Sequence, residues 1–401
     1  MVSVALKDIF DKTLFLFGAG STFEADCMVS TSMLEALKKD IDAIEPADGI
    51  NYSHRDLFKE IYVFLRACLS YQVSKRNHEL KESNKYSENI EDFILILRQI
   101  INKDYILPQP IVGSWSEEIL LFRVKQSDIF ERFLDFILAR LIEWITPTDS
   151  KAKALIKPFK TLFEETVDQD YSVDIFTLNY DLVFEKFLNS KNEKIVNNGF
   201  RHYLWEQKFT TGADNSRINL YKIHGSIDWY FDEVEQLIKY KEDHEPAFNP
   251  KNPSELKPHI ILGYQHKLFS VEPFFSIVQE FIQKLRSSNL IIVVGYSFND
   301  SYVNNLLIQE VNKDKNKKLI IVDPKWKRGN EPDFVEYIKL VQSDQSSMNL
   351  RNSSLLIQER VKLYASGKKI GAKSFFKDYL ANKAELLSNE LNELTEDEEP
   401  F

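Results

Sequence analysis

Residues 12–20, KTLFLFGAG, join an apolar run of the β-strand type to a glycine-containing turn. The run Leu14–Phe17 has no polar residue, which is typical of a strand covered on both faces of a sheet. Later runs are also of the β-strand type and rich in apolar residues: SVDIFTL (172–178), NLYKIHG (219–225), HIILGY (259–264), NLIIVVGYS (289–297) and KLIIVDP (318–324). Helical patterns lie between several of them. Short apolar strands alternating with helices favour a parallel sheet with helices on both faces, and hence an α/β fold.

Residues 53–165 show helical rather than strand periodicity. Four stretches place apolar residues three and four positions apart: HRDLFKEIYVFLRACL, NIEDFILILRQII, DIFERFLDFILARLIEW and KALIKPFKTLFEETV. Asn89 and Asp128 are the first residues of two of these stretches and are predicted to cap the helices, Asp128 with Glu131 in capping-box spacing. We therefore predict a Rossmann-like parallel sheet with a large helical insertion. Its segments are 1–52 (first part of the Rossmann-like domain), 53–165 (helical insertion), 166–345 (remainder) and 346–401 (C-terminal helical segment and acidic tail).

Composition narrows the class of protein. The 401-residue chain is 43% hydrophobic, enough for a sizeable core, and has no apolar run long enough to span a membrane. Its net charge of −10 disfavours direct binding to nucleic acids or anionic membranes. The two cysteines, Cys27 and Cys68, form no Cys-x-x-Cys pattern, so we expect no metal site and a reduced, cytoplasmic setting.

The first predicted strand ends in FGAGST. Gly18 and Gly20 allow a tight turn that approaches a ligand closely, and a helix beginning after this turn would favour a phosphate. Gly-x-Gly lacks the third glycine of the usual dinucleotide fingerprint. The alternative is an ordinary strand-to-helix turn capped by Ser21 or Thr22.

Two further strand ends carry polar groups suited to catalysis. TLNYD supplies Thr177, Asn179 and Asp181, where one polar residue would be enough to cap the following helix. KIHGSIDW supplies His224 directly before Gly225. A histidine that titrates near neutrality is suited to act as a general base, and the alternative is a neutral, hydrogen-bonded core histidine.

Two more turns complete the predicted edge of the sheet. VVGYSFND places Gly295 and Ser297 where a second phosphate or ribose turn could lie; the alternative is a loop in which Asn299 or Asp300 caps a helix. Asp323, in IIVDP, is an acidic residue at a strand end that could hold a ribose hydroxyl, or a turn residue before a proline.

Taken in order, Gly-Ala-Gly-Ser, Thr-x-Asn-x-Asp, His-Gly and Gly-x-Ser resemble the core of the sirtuin (SIR2) family over about residues 12–30 and 170–330. In that family these elements bind NAD and break its nicotinamide–ribose bond. The resemblance implies that NAD is the substrate, that no metal is needed, and that Asn179, His224 and Asp181 act in catalysis. It implies NAD contacts from Gly18, Ala19, Gly20, Ser21, Thr22, Thr177, Gly225, Gly295, Ser297 and Asp323.

The chain also departs from the protein-deacylating sirtuins. It lacks their four zinc-binding cysteines, and FEADCMVS follows GAGST where Gly-Ile-Pro-Asp-Phe-Arg would stand. The helical block replaces the zinc module. This pattern resembles the SIR2-like effectors of bacterial anti-phage defence, which hydrolyse NAD. Chain length and the lack of a fused sensor resemble the SIR2 subunit that works with a HerA-type ATPase, so the implied partners are that ATPase and further copies of the chain. An NAD-dependent protein deacylase and a non-catalytic NAD or ADP-ribose sensor or scaffold remain alternatives.

Overall fold

The computed structural model describes residues 5–45, 54–78, 86–102, 115–166, 170–188, 195–201, 203–206, 217–232, 236–239, 260, 272–314, 316–323, 361–363 and 371–396. These residues form two compact units. The sheet unit holds the described residues up to Cys27 and from Thr146 onward. The helical unit holds those from Met28 to Ile145.

The sheet unit contains a seven-stranded sheet and a four-stranded sheet. In chain order the strands are β1 Thr13–Phe17, β2 Val173–Thr177, β3 Val196–Asn197, β4 Phe200–Arg201, β5 Leu204–Trp205, β6 Ile218–Lys222, β7 Trp229–Phe231, β8 Leu237–Lys239, β9 Leu290–Val294, β10 Lys318–Val322 and β11 Val361–Leu363. The large sheet has the order β11-β10-β9-β1-β2-β6-β3, and all its pairs are parallel. The predicted α/β class is confirmed. Of the predicted strand at 259–264 only Ile260 is described, in an isolated antiparallel bridge to Gly225.

Helices cover both faces of the large sheet. They are α1 Leu6–Asp11, α7 Asp149–Glu165, α8 Val183–Leu188, α9 Phe274–Ser287, α10 Ser301–Lys313, α11 Ala372–Tyr379 and α12 Ala381–Glu396. On one face Phe17 packs against Phe184 of α8 and Phe376 of α11, at ring distances of 5.5 and 5.3 Å. On the other face Phe176 packs against Phe281 of α9 at 5.1 Å. Because successive strand residues point to opposite faces, uninterrupted apolar runs are needed to fill both layers.

The helical unit contains α2 Ser30–Asp42, α3 His54–Asn77, α4 Ile90–Asn102, α5 Trp115–Lys125 and α6 Ile129–Trp144. Phe133 packs against Phe58 and Phe93, with ring centroids 4.8 and 6.3 Å apart. No helix in the described part of the chain is long and apolar enough to cross a membrane.

The boundaries of the helical unit differ from the predicted insertion at 53–165. Helix α2 lies inside the unit, which begins at Met28. Helix α7 lies in the sheet unit, because its apolar face, with Phe159 5.0 Å from Phe376, packs into the core beside the sheet. The four-segment division of the sequence stays a prediction, and the acidic residues after Glu396 lie outside the described residues.

Backbone hydrogen bonds close each unit where the chain passes between them. In the sheet unit the Thr148 N–H donates to the Ala25 carbonyl (2.9 Å). In the helical unit the Met28 N–H donates to the Trp144 carbonyl (2.9 Å). In each unit, one of these hydrogen bonds therefore joins the two points at which the chain passes to the other unit.

The two predicted helix caps have different outcomes. The Asn89 side chain accepts a hydrogen bond from the Asp92 N–H (2.9 Å), so that cap is confirmed. Asp128 stands at the N-cap position of α6, but its carboxylate pairs with Arg132 (2.7 Å) and makes no capping bond. The predicted capping box is therefore wrong, because an arginine one turn along competes for the carboxylate.

Candidate active site

Strand register brings the ends of five strands level. Phe17 lies opposite Thr177 and Val294, Thr177 opposite Lys222, and Val294 opposite Val322. The segments after these residues therefore share one edge of the sheet, and every site residue predicted from the sequence lies on it. From β1 the chain continues to β2 and β6 on one side and later to β9 and β10 on the other. Doubly wound sheets bind ligands at such a reversal of strand order.

The turn after β1 and the segment after β2 are joined by side-chain hydrogen bonds. Thr22 Oγ1 donates to Asp181 Oδ2 (2.9 Å). Asn179 Nδ2 donates to Ser21 Oγ (3.2 Å) and Thr22 Oγ1 (3.3 Å), and the Asn179 N–H donates to Thr177 Oγ1 (3.0 Å). All these side chains are buried. We call Ser21, Thr22, Asn179 and Asp181 the Asn179 cluster.

Asp181 has two functions in this arrangement. Its Oδ1 accepts from the Val183 N–H (3.1 Å) at the start of α8, so the capping alternative holds for Asp181. Its Oδ2 holds Thr22 and, through that hydroxyl, the amide of Asn179. Burial raises the pKa of Asp181, and the nearby Lys222 ammonium acts against that shift.

Lys222 is a residue of this site that the sequence analysis missed. It ends β6 and is only 1% exposed. Its Nζ donates to the backbone carbonyl of Asp181 and to Ser226 Oγ (2.8 Å), and lies 3.1 Å from Glu185 Oε1. That last contact is an ion pair without hydrogen-bond geometry, since neither Glu185 oxygen has a hydrogen bond within the described structure. One buried cation thus ties the segment after β2 to the segment after β6.

His224 lies two residues beyond β6 and is 4% exposed. Its Nε2 lies 3.1 Å from Oδ2 of Asp300, in the segment between β9 and α10. The other carboxylate oxygen of Asp300 accepts from the Tyr302 N–H (3.0 Å) and the Val303 N–H (3.4 Å), which caps α10. The sequence analysis considered Asp300 only as a cap.

The glycines at this edge are explained by close packing of two turns. Gly295 has φ +62°, and a Cβ there would lie 2.2 Å from the Ser21 nitrogen. A Cβ on Gly18 or Gly20 would come within 2.8 Å of the backbone at 295–296. The Gly20 N–H donates to the Gly295 carbonyl (2.8 Å), and the amides of Gly18 and Ser21 also donate to backbone carbonyls. Amides bonded in this way are not an open cradle for a phosphate.

The segment after the first turn also differs from the prediction. A helix was expected to begin just beyond Gly20, but Ala19–Ser21 and Phe23–Ala25 form two short 3₁₀ turns. Neither Ser21 nor Thr22 caps a helix, and α2 begins only at Ser30. The hydroxyls that would have capped a helix bind Asn179 instead, so the predicted helix N-terminus for phosphate binding is wrong.

The remaining predicted contacts lie outside the Asn179 cluster. Ala19 and Ser297 are exposed, and Gly225 is buried with φ +87°. Asp323 is half-buried directly after β10, two strands from β1. Among the described residues no three His, Cys, Asp or Glu side chains are grouped as metal ligands.

The part of the chain that supplies Asn179, His224 and Asp300 is similar to a known family. Residues 173–341 match the model of the SIR2-like domain family. The matched range includes the strand ends of β2, β6, β9 and β10, while the first turn, Gly18–Thr22, precedes it. No curated protein sequence matches the chain.

Solved structures similar to the chain include Sir2 homologues. A Sir2 homologue in complex with NAD is 10% identical with a TM-score of 0.36, covering 95% of this chain and 93% of that one. A mutant Sir2 homologue in complex with ADP-ribose is 13% identical with a TM-score of 0.32, covering 86% of this chain and all of that one. Likenesses this distant do not establish an activity for the chain.

Proposed function

We propose that the chain is an NAD⁺ glycohydrolase that cleaves the nicotinamide–ribose bond, giving nicotinamide and ADP-ribose. One observation carries the proposal: the amide of Asn179 is held by two hydroxyls at the sheet edge where His224 also lies. Within a SIR2-like domain, this edge is the place for a nucleotide whose glycosidic bond is to be broken.

Asn179 orients the attacking water and the ribose hydroxyls. Nicotinamide leaves with the electron pair of its bond to C1′, and the ribose becomes oxocarbenium-like. Because Nδ2 of Asn179 is engaged by Ser21 and Thr22, its Oδ1 is the atom that accepts a hydrogen bond from water. Positioning of this kind contributes on the order of several kcal/mol to lowering the barrier.

His224 accepts a proton, either from the water that attacks C1′ or from a ribose hydroxyl. General base catalysis of this kind is worth about 10²–10⁴-fold in rate. Asp181 acts indirectly, because its carboxylate accepts a hydrogen bond from Thr22, whose hydroxyl in turn holds the amide of Asn179. No step in this scheme requires a metal ion.

More specifically, we propose that the chain is a gated effector of anti-phage defence that depletes NAD in the cytoplasm. Uncontrolled hydrolysis would remove the cofactor of the host cell, so activity must be restrained. Burial supports restraint, because Asn179 is 9% and His224 4% exposed, and we expect NAD to reach them only after a rearrangement. We propose that the gate is either oligomerisation of the chain or a HerA-type ATPase partner.

Nicotinamide release from NAD by the purified chain tests the activity. Asn179→Ala and His224→Ala should each abolish release while keeping the circular dichroism of the wild type. Asn219→Ala is the matched control: Asn219 is also buried, but it bonds Asp174 (2.8 Å) near the opposite ends of the strands, so its activity should persist.

The assay is run with and without an acetylated peptide and with and without a HerA-type ATPase. Release without peptide that disappears in both variants supports a hydrolase. Release that needs the peptide indicates a deacylase. Measurable NAD binding with no product under any condition indicates a sensor, and either of the last two results refutes the proposal.

A further inference from the structure

The carboxylate of Asp300 caps α10 and also contacts a residue outside that helix, His224. Strands β6 and β9 are separated by β1 and β2, a span of about 14 Å at ~4.8 Å per strand. Yet the segments that follow them meet, with His224 Nε2 3.1 Å from Asp300 Oδ2. The contact therefore closes over the ends of β1 and β2, where the Asn179 cluster lies.

The hydrogen bonds that cap α10 and that hold the loop before it do not involve His224. Oδ1 of Asp300 takes both amide bonds at the start of α10. The Asp300 N–H donates to the Tyr296 hydroxyl (3.2 Å), which lies 2.8 Å from Asn304 Oδ1. Helix capping thus accounts for one carboxylate oxygen, and the second is directed at His224.

We propose that Asp300 is the positioning residue of His224 in the proposed reaction, and this inference rests on that proposed function. A carboxylate can only accept, so the hydrogen of the neutral imidazole is on Nε2 and its lone pair is on Nδ1. The proton from water or ribose moves to Nδ1. Asp300 stays ionised, fixes the ring, and stabilises the imidazolium that forms, as orienting carboxylates do in histidine-based catalysis.

Asp300→Asn tests the inference with little disturbance of the helix. The side-chain oxygen of asparagine still caps α10. Its amide presents a donor to Nε2, which selects the other tautomer and moves the hydrogen to Nδ1. We expect kcat for nicotinamide release to fall about 100-fold or more, with KM within a few-fold of wild type. Asp314→Asn is the control: Asp314 lies at the other end of α10, where it accepts the Asn316 N–H in a turn (2.9 Å), so kcat should be unchanged.

Nitrogen NMR of the imidazole gives a readout independent of turnover. The signal of His224 is assigned, among the seven histidines, by its loss in His224→Gln. The wild type should show the neutral ring protonated at Nε2, and Asp300→Asn should show it protonated at Nδ1. A wild-type ring protonated at Nδ1, an unchanged tautomer in the variant, or a kcat within about threefold of wild type overturns the inference.

The two proposals fail in different ways. If the wild type releases no nicotinamide, NAD hydrolysis is refuted. If the Asp300→Asn variant nevertheless shows the opposite tautomer of His224, Asp300 is still supported as the residue that determines which nitrogen carries the hydrogen. If Asp300→Asn does not fold, the wild-type tautomer alone decides: Nε2–H supports the inference, and Nδ1–H overturns it.

Discussion

Replacing Lys222 by methionine should destabilise the sheet unit more than most single substitutions. Methionine fills nearly the same volume but leaves Glu185 as a buried carboxylate without its cation, and it removes the donor to Ser226 and to the Asp181 carbonyl. Breaking a buried ion pair from one side costs about 3–5 kcal/mol, because the remaining charge is uncompensated. The surface variant Lys186→Met should cost less than about 1 kcal/mol, because the Lys186 side chain is 54% exposed and its ammonium lies 4.0 Å from Asp149.

The double variant Lys222→Met/Glu185→Leu separates charge from packing. It removes both charges of this ion pair, so its free energy of unfolding should recover by about 1 kcal/mol or more from that of Lys222→Met. The measurement is urea denaturation followed by circular dichroism and by tryptophan fluorescence. A Lys222→Met cost below about 1 kcal/mol, or a double variant less stable than Lys222→Met alone, refutes the view that this lysine compensates a buried carboxylate.

Three further predictions concern the edge of the sheet. Burial raises the pKa of Asp181 above its ordinary 3.8, so the folded protein holds the proton of this carboxyl more tightly than the unfolded chain does. Relative to Asp181→Asn, the wild type should therefore lose stability as the pH rises from 3.8 to the raised pKa. A pH-independent difference in unfolding free energy would contradict this. Thr22→Val should cost about 1–3 kcal/mol in a denaturation experiment because a buried acceptor loses its donor, whereas Thr22→Ser keeps the hydroxyl and most of the stability. Gly295→Ala should lower the free energy of unfolding by about 3 kcal/mol or more, because alanine is strained in the left-handed backbone conformation and its Cβ clashes with the backbone of Gly20. The control Gly371→Ala should cost less, because its Cβ meets only the movable end of a glutamate side chain. Equal costs would show that the close packing of the two turns is unimportant.

The large sheet could be predicted from the sequence because a strand buried on both faces must be apolar at consecutive positions. Four of the later runs, and the run that starts the fold, do form parallel strands. The four-stranded sheet β4-β5-β8-β7 was missed, because strands of two or three residues are too short to show a period. The edge of the sheet was predicted for the same reason as the strands: each apolar run stops at a polar or glycine residue.

Contacts across the edge could not be predicted in the same way. Asp300 and His224 are 76 positions apart, and a sequence shows only that Asp300 precedes a helix. Lys222 looks like an ordinary exposed lysine in NLYKIHG until Glu185 is placed beside it. Gly18 and Gly20 could be recognised as turn residues. The reason why they must be glycine is the close contact with a second turn more than 270 residues away, which no local pattern reveals.

The hydrogen bonds that close each unit have a consequence for how such a chain can change. With Thr148 held to Ala25, the sheet unit is closed where the 28–145 segment leaves it and returns. A replacement segment of different length needs only to begin and end at neighbouring points, and the entropy of closing a longer loop grows slowly with its length. The 28–145 segment can therefore change in length and sequence during evolution with little cost to the folding of the sheet unit.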